Sequence, residues 1–149
     1  MEVNDYLTCL VGAHIFFIKD GTLCMIRRKN TGHGDGKYSV PAGHVDAGER
    51  MIDAAIREAK EEVGVSITEE NLTFAHMVHI RKRDPSLPDR LQFFFVAHTW
   101  DGELQNCEPE KCDDIAWFPI AALPDNCVEY TRQAFRAYQS GITLSTLDE

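Results

Sequence analysis

AGHVDAGERMIDAAIREAKEEVGV, residues 42–65 of a 149-residue chain, reads as a loop followed by a helix. Ile52, Ala55, Ile56, Ala59 and Val63 recur at i, i+3, i+4, i+7 and i+11, which makes one apolar stripe for a core. Gly64 is placed to end the helix as its C′ residue. The last turns carry Glu58, Glu61 and Glu62, where the helix dipole already disfavours negative charge. Carboxylates three and four residues apart also repel one another. At ~100° per residue, Glu58 and Glu62 lie about 40° apart and Glu61 about 60° to the other side. The three therefore share a face beside the buried stripe. A solvated acidic face is one explanation for such a run. A hard divalent cation is the other, because it selects carboxylate oxygens and keeps open positions for substrate phosphates.

Working outward from the helix, strand patterns dominate. Leu7 to Ile18 is apolar and β-rich, Asp20-Gly21 is a hairpin turn signal, and TLCMIRR returns. Asn30 to Lys37 holds three glycines and reads as a loop. YSVPAG is a short strand leading into the helix. Two longer strands follow at Leu72–Ile80 and Leu91–Thr99, joined by the proline-containing RKRDPSLPDR. DIAWFP is a further short strand, and a last helix is expected from Asp125 to Gln139. This mixture predicts an α+β fold layered as an α/β/α sandwich, in a single domain spanning 1–149.

Composition excludes several classes. Hydrophobic content of 44% and charge of 26% suit a globular protein with a core. No apolar run reaches the ~18 residues that span a bilayer, and no signal-peptide pattern opens the chain. The expectation is a cytoplasmic protein without membrane partners. Five cysteines, Cys9, Cys24, Cys107, Cys112 and Cys127, form no C-x-x-C pair and read as reduced thiols. The spacing of Cys107 and Cys112 lacks a second ligand pair for zinc. A net charge of −9 argues against a polymeric nucleic-acid partner. It leaves small anions open, since a bound cation reverses the local field.

The spacing decides between the two explanations of the acidic helix. Gly43, Glu49, Arg57-Glu58, Glu61-Glu62 and Gly64, followed by apolar Val65, fill every fixed position of a box spanning residues 43–65 that resembles the signature of the Nudix hydrolases. The rest of the layout is similar too, with a hairpin before the box, PAGH leading into it, and strands and a helix after it. The resemblance implies the Nudix fold, a mixed β-sheet between helices. It implies hydrolysis of a nucleoside diphosphate linked to a group X, with Mg2+ or, as a substitute, Mn2+.

Carried over residue by residue, the resemblance makes Glu58, Glu61 and Glu62 metal ligands, with Glu62 the primary one, and adds the backbone carbonyl of Ala42. The usual PGG is PAG here. It gives Arg57 the task of holding box carboxylates, with Glu49 as partner. MutT-type members add a carboxylate from a later loop, which within DGELQNCEPEKCDD falls on Glu108, with Glu110 in reserve. Glu58, Glu61 and Glu108 are the candidates for the general base. Arg27 and Arg28, ending a strand ahead of the glycine loop, and more weakly Arg90, are candidates for the substrate phosphates. His33 and His44 border the loop and box. Tyr38, Phe93, Phe95 and Trp117 read mostly as core, with room for one to stack on a base.

Markers outside the box narrow the substrate. The proline tied to ADP-ribose members, the tyrosine tied to dinucleoside polyphosphate members and the upstream element of coenzyme A pyrophosphatases are absent at their expected places. What remains resembles a compact MutT-like enzyme taking a nucleoside triphosphate to NMP and pyrophosphate. The alternatives are a nucleotide-sugar or other NDP-X pyrophosphatase, a non-catalytic nucleotide sensor, an isomerase sharing the fold, and a plain metal-binding scaffold. A homodimer is also allowed, since dimers are frequent among the relatives.

Overall fold

The computed structural model describes residues 5–149. Its centre is β1 (Cys9–Lys19), a strand six of whose consecutive residues are buried. It turns at Asp20-Gly21, both with positive φ (53° and 73°), into β2 (Thr22–Arg28). Two successive left-handed residues give the hairpin turn whose twist suits the flanking strands. The hairpin is short: only Ile18 with Leu23 and Lys19 with Thr22 are in register. Beyond them β1 and β2 diverge. Into the gap come β3 (Tyr38–Ser39), paired to β2, and β4 (Ala42–His44), paired to β1 across Gly12–His14.

The other edge of β1 pairs in parallel with β6 (Asp89–Ala97), and β6 pairs antiparallel with β5 (Leu72–Arg81). β7 (Cys112–Pro119) lies against β2. The expected strand at Leu91–Thr99 is thus shifted two residues toward the N-terminus. The mixed sheet carries α1 (Met51–Val63) and α2 (Glu129–Gln139). One core cluster joins Ala54, Ala55, Ala59 and Val63 of α1 to Ile15 and Phe17 of β1. The other joins Tyr130, Ala134 and Phe135 of α2 to Phe16, Phe94 and Val78. Successive strand residues point to opposite faces, so β1 feeds both cores. This is the expected three-layer arrangement.

Two expectations change. The second helix starts at Glu129, not Asp125. The preceding residues are extended, with Tyr38 N donating to Asn126 O and Val128 N to Tyr38 O. A last strand, β8 (Leu144–Asp148), pairs in parallel with β5 and was not expected. Buried His76 anchors it, with Nδ1 2.7 Å from Ile142 O and Nε2 2.7 Å from Ser145 Oγ. No helix among the described residues is long and apolar enough to cross a membrane.

Candidate active site

The divergence of β1 from β2 opens a cleft of about 640 Å3. Its walls come from β1, the end of β2, the glycine loop, β4, α1, β6 and the loop before β7. Glu58, Glu61, Glu62 and Glu108 all line it, as do Ala42, Gly43, Arg28 and Arg90.

Gly64 ends α1 as expected, in the left-handed conformation (φ 75°, ψ 12°), with its N–H donated to Lys60 O. This brings the glutamate face of α1 against β4. Ala42 N donates to Glu62 Oε2 at 2.9 Å. Gly43 answers a question of space: a β-carbon there would stand 2.0 Å from the Glu58 carboxyl carbon. Glycine lets the strand approach so closely that the carboxylate occupies the side-chain position. Ala42 has no positive φ, which is why PAG serves in place of PGG.

Arg57 organises the rest. Its Nε donates to Glu49 Oε2 at 2.8 Å and its Nη2 to Glu49 Oε1 at 3.0 Å, a two-pronged fork. Nη1 donates to Glu58 Oε1 at 2.7 Å and reaches Glu61 Oε2 at 3.3 Å, and Nη2 also donates to His44 O at 3.1 Å. One planar guanidinium thus ties the loop, β4 and two box glutamates together. The Arg57 fork, with the amide of Asp46, holds the Glu49 carboxyl down at about 2.

The remaining carboxylates carry the opposite signature. Glu62 is partly buried by surface area, yet its carboxyl is enclosed enough that desolvation pushes it up to about 8. The Ala42 amide opposes the shift, and the charges of Glu58 and Glu108 add to it. Burial also raises Glu58 against the pull of Arg57, and Glu61 and Glu108 push it the same way. Glu108 is therefore within electrostatic reach of the helix pair, although Lys111 Nζ stands 3.9 Å from its Oε2.

Among the described residues no three His, Cys, Asp or Glu side chains stand as a finished metal cluster. Arg57 and the Ala42 amide hold the carboxylates in their present places. The donor set fits a hard divalent cation nonetheless. It is all oxygen and partly desolvated, and the raised carboxyls of Glu58 and Glu62 are what a cation relieves.

The arginines separate. Arg28 lines the cleft, with Nε donating to His33 O at 2.6 Å and Nη2 to Thr31 Oγ1 at 3.1 Å. It clamps the glycine loop. Arg27 is placed elsewhere: its Nε donates to Asp113 Oδ1 at 2.6 Å and its guanidinium lies 5.7 Å from the Tyr38 ring centroid. Neighbours on a strand face opposite sides, so only one of the pair reaches the cleft. Arg27 is withdrawn as a phosphate contact. Arg90 is in the wall, and so are His33 and His44.

None of Tyr38, Phe93, Phe95 and Trp117 lines the cleft. Tyr38 donates its hydroxyl to Asp114, and Trp117 stacks on Trp100 at 6.1 Å. His14, Gln92 and Tyr130, which also line it, were not singled out from the sequence. The available signal was a polar residue inside each apolar run, VGAHIFF and RLQFFF.

The NUDIX domain profile matches residues 10–138. The chain belongs to the Nudix family. Among curated relatives, Nudix protein NudC of Pseudomonas aeruginosa, an NAD-capped RNA hydrolase, is 36% identical over 89 residues, 60% of this chain and 29% of its own length. Human NUDT18, an 8-oxo-dGDP phosphatase, is 31% identical over 91 residues, 60% of this chain and 26% of its own. The match thus spans less than a third of either relative. Among solved structures, the MutT Nudix hydrolase of Burkholderia pseudomallei superposes with a TM-score of 0.77 at 26% identity, covering 87% of this chain and 97% of that one. A MutT protein of Methanosarcina mazei Go1 shares the Nudix fold at a TM-score of 0.75 and 16% identity, over 91% and 96% of the two chains.

Proposed function

We propose that this Nudix domain is a divalent-metal-dependent pyrophosphohydrolase acting on a nucleoside diphosphate-X compound. Its leading substrate class is a nucleoside triphosphate, cleaved to NMP and pyrophosphate. The observation that carries this reading is the set of four carboxylates in one cleft with Arg28 and Arg90. Four carboxylates crowded together suit a divalent cation, and Arg28 and Arg90 suit an anionic ligand.

Glu58, Glu61, Glu62 and Glu108 would hold Mg2+, with the Ala42 carbonyl as a backbone donor. When bound, the cation neutralises phosphate charge and lowers the pKa of water at neutral pH. The chain's residues supply the rest. Arg57 keeps Glu58 and Glu61 from scattering under their mutual repulsion. The Ala42 amide fixes one oxygen of Glu62 and leaves the other for a ligand. Glu61, half exposed, and Glu108 have the access needed to take a proton from attacking water. Arg90 offers a guanidinium to the phosphates, while Arg28 holds the glycine loop at the cleft wall.

A second reading, another NDP-X compound, is favoured by the activities of two relatives, an NAD-capped RNA hydrolase and an 8-oxo-dGDP phosphatase. The experiment is a panel of nucleoside triphosphates, nucleotide sugars and dinucleotides incubated with Mg2+ and resolved by chromatography. Release of NMP and pyrophosphate from a triphosphate is the expected result. NMP plus X-phosphate from another compound only would replace the first reading by the second, and no turnover would remove both.

A further inference from the structure

Part of the cleft wall is assigned no role by this chemistry. Its residues sit on the α2 side of the sheet, away from the box helix. Gln92 of β6 lies directly across from Gly12 of β1. A β-carbon on Gly12 would stand 2.1 Å from Gln92 Oε1 and 3.2 Å from His14 Nε2. The missing side chain is what lets Gln92 lean across the strand, where its Oε1 lies 2.7 Å from His14 Nε2. His14 is itself buried, stacked on Phe94 at 4.4 Å and edge-on to Tyr130 at 5.7 Å.

The Gln92 amide turns its oxygen toward His14, so its NH2 group faces the other way. A hydrogen bond at this distance needs one proton between the two atoms. With an amide oxygen as the partner, that proton is on Nε2. Nδ1 is then a bare acceptor, and among the described residues it is the one enclosed side-chain polar atom without a partner. Gln92 therefore spends its oxygen on His14. Its NH2 group has no partner among the described residues and belongs to the cleft wall. Beside it, the rings of His33 and Tyr130 lie within 11° of parallel at 6.4 Å, and both line the same cleft. Flat aromatic faces next to an oriented donor suit a planar heterocycle.

We propose that Gln92 is a specificity-determining residue that donates to the edge of the substrate's nucleobase, with Gly12 and His14 as the positioning residues that set its orientation. Facing position 6 of a purine, a donor-only group selects the carbonyl oxygen of guanine over the amino group of adenine. A donor facing a donor leaves both unpaired when the cleft closes over them. This rests on the nucleotide reading above and deepens it.

The test is the ratio of kcat/KM for guanine and adenine members of one compound class: GTP against ATP and, in parallel, GDP-glucose against ADP-glucose. Wild-type protein is expected to favour guanine by about tenfold or more. Gln92→Glu offers acceptors in place of donors and is expected to lower that ratio at least about tenfold. Its added charge acts equally on both substrates and cancels. Gly12→Ala pushes Gln92 aside and is expected to bring the ratio toward one. Both variants are checked for the wild-type unfolding temperature, and Gly12→Ala carries the test if Gln92→Glu fails to fold. A merely structural role for these residues would lower both substrates together and leave the ratio unchanged, which overturns the proposal. So does a wild-type preference for adenine. Absence of turnover across both classes is instead the failure of the nucleotide reading itself, and the proposal falls with it.

Discussion

A β-carbon on Gly43 would overlap the Glu58 carboxylate, so the smallest box residue is explained by the carboxylate packed against it. Gly43→Ala should displace Glu58 and cut Mg2+ affinity by about 10- to 100-fold. Metal titration followed by intrinsic fluorescence measures it, against a control that the variant keeps wild-type circular dichroism. His14 gives a pH prediction. Burial pushes its folded pKa down to about 4, below the ordinary 6.5. The unfolded chain therefore takes up the proton first as pH falls. The stability His14 contributes is complete above about pH 6.5 and is lost as pH falls through 4. His14→Phe should flatten the acid side of the stability profile over that window, read by urea denaturation at half-unit steps. The box residues were legible because their chemistry is local: Gly43 to Gly64 are one loop and one helix. His14 and Gln92 were not, because only the parallel pairing of β1 with β6 brings together residues 78 positions apart.

At the scale of elements, periodicity served where burial is one-sided. The α1 stripe, its Gly64 terminus and the Asp20-Gly21 hairpin could be read because each depends on residues a few positions apart. β8 could not. Its five residues alternate between exposed and half-buried, with none fully buried to mark a core face, and it is held by groups far away in the chain. His76, fully buried on β5, is the main anchor. His76→Leu leaves the Ile142 carbonyl without its imidazole partner and Ser145 Oγ with Gln133 Nε2 alone, and should cost about 1–3 kcal/mol. Hydrogen exchange should show that loss concentrated in β8 and the neighbouring edge of β5. The start of α2 was misplaced for a related reason: Asn126 to Val128 pair with Tyr38, a long-range contact that overrides local helix preference.

For the whole molecule, the sheet is the device that makes a cleft. β1 pairs with β2 only at the hairpin end and then with β4, and the opening between them receives carboxylates from α1 and from the loop before β7. The metal-free protein therefore holds a self-repelling cluster, and cation binding should stabilise the fold by mass action, about 2.7 kcal/mol at a hundred times Kd. The unfolding temperature should rise with millimolar Mg2+ in the wild type. In Glu62→Gln the rise should shrink sharply, while the metal-free variant is at least as stable as wild type because a costly enclosed carboxyl is gone. A wild-type unfolding temperature indifferent to Mg2+ would count against the site.

The central claim is that these carboxylates support pyrophosphate-bond hydrolysis. Phosphorus NMR of a nucleoside triphosphate incubated with the protein tests it most directly. NMP and pyrophosphate are expected with Mg2+ present, none with EDTA, and a loss of at least about 100-fold in Glu62→Gln. Turnover that persists in EDTA, or near-wild-type turnover by Glu62→Gln at saturating Mg2+, would contradict it.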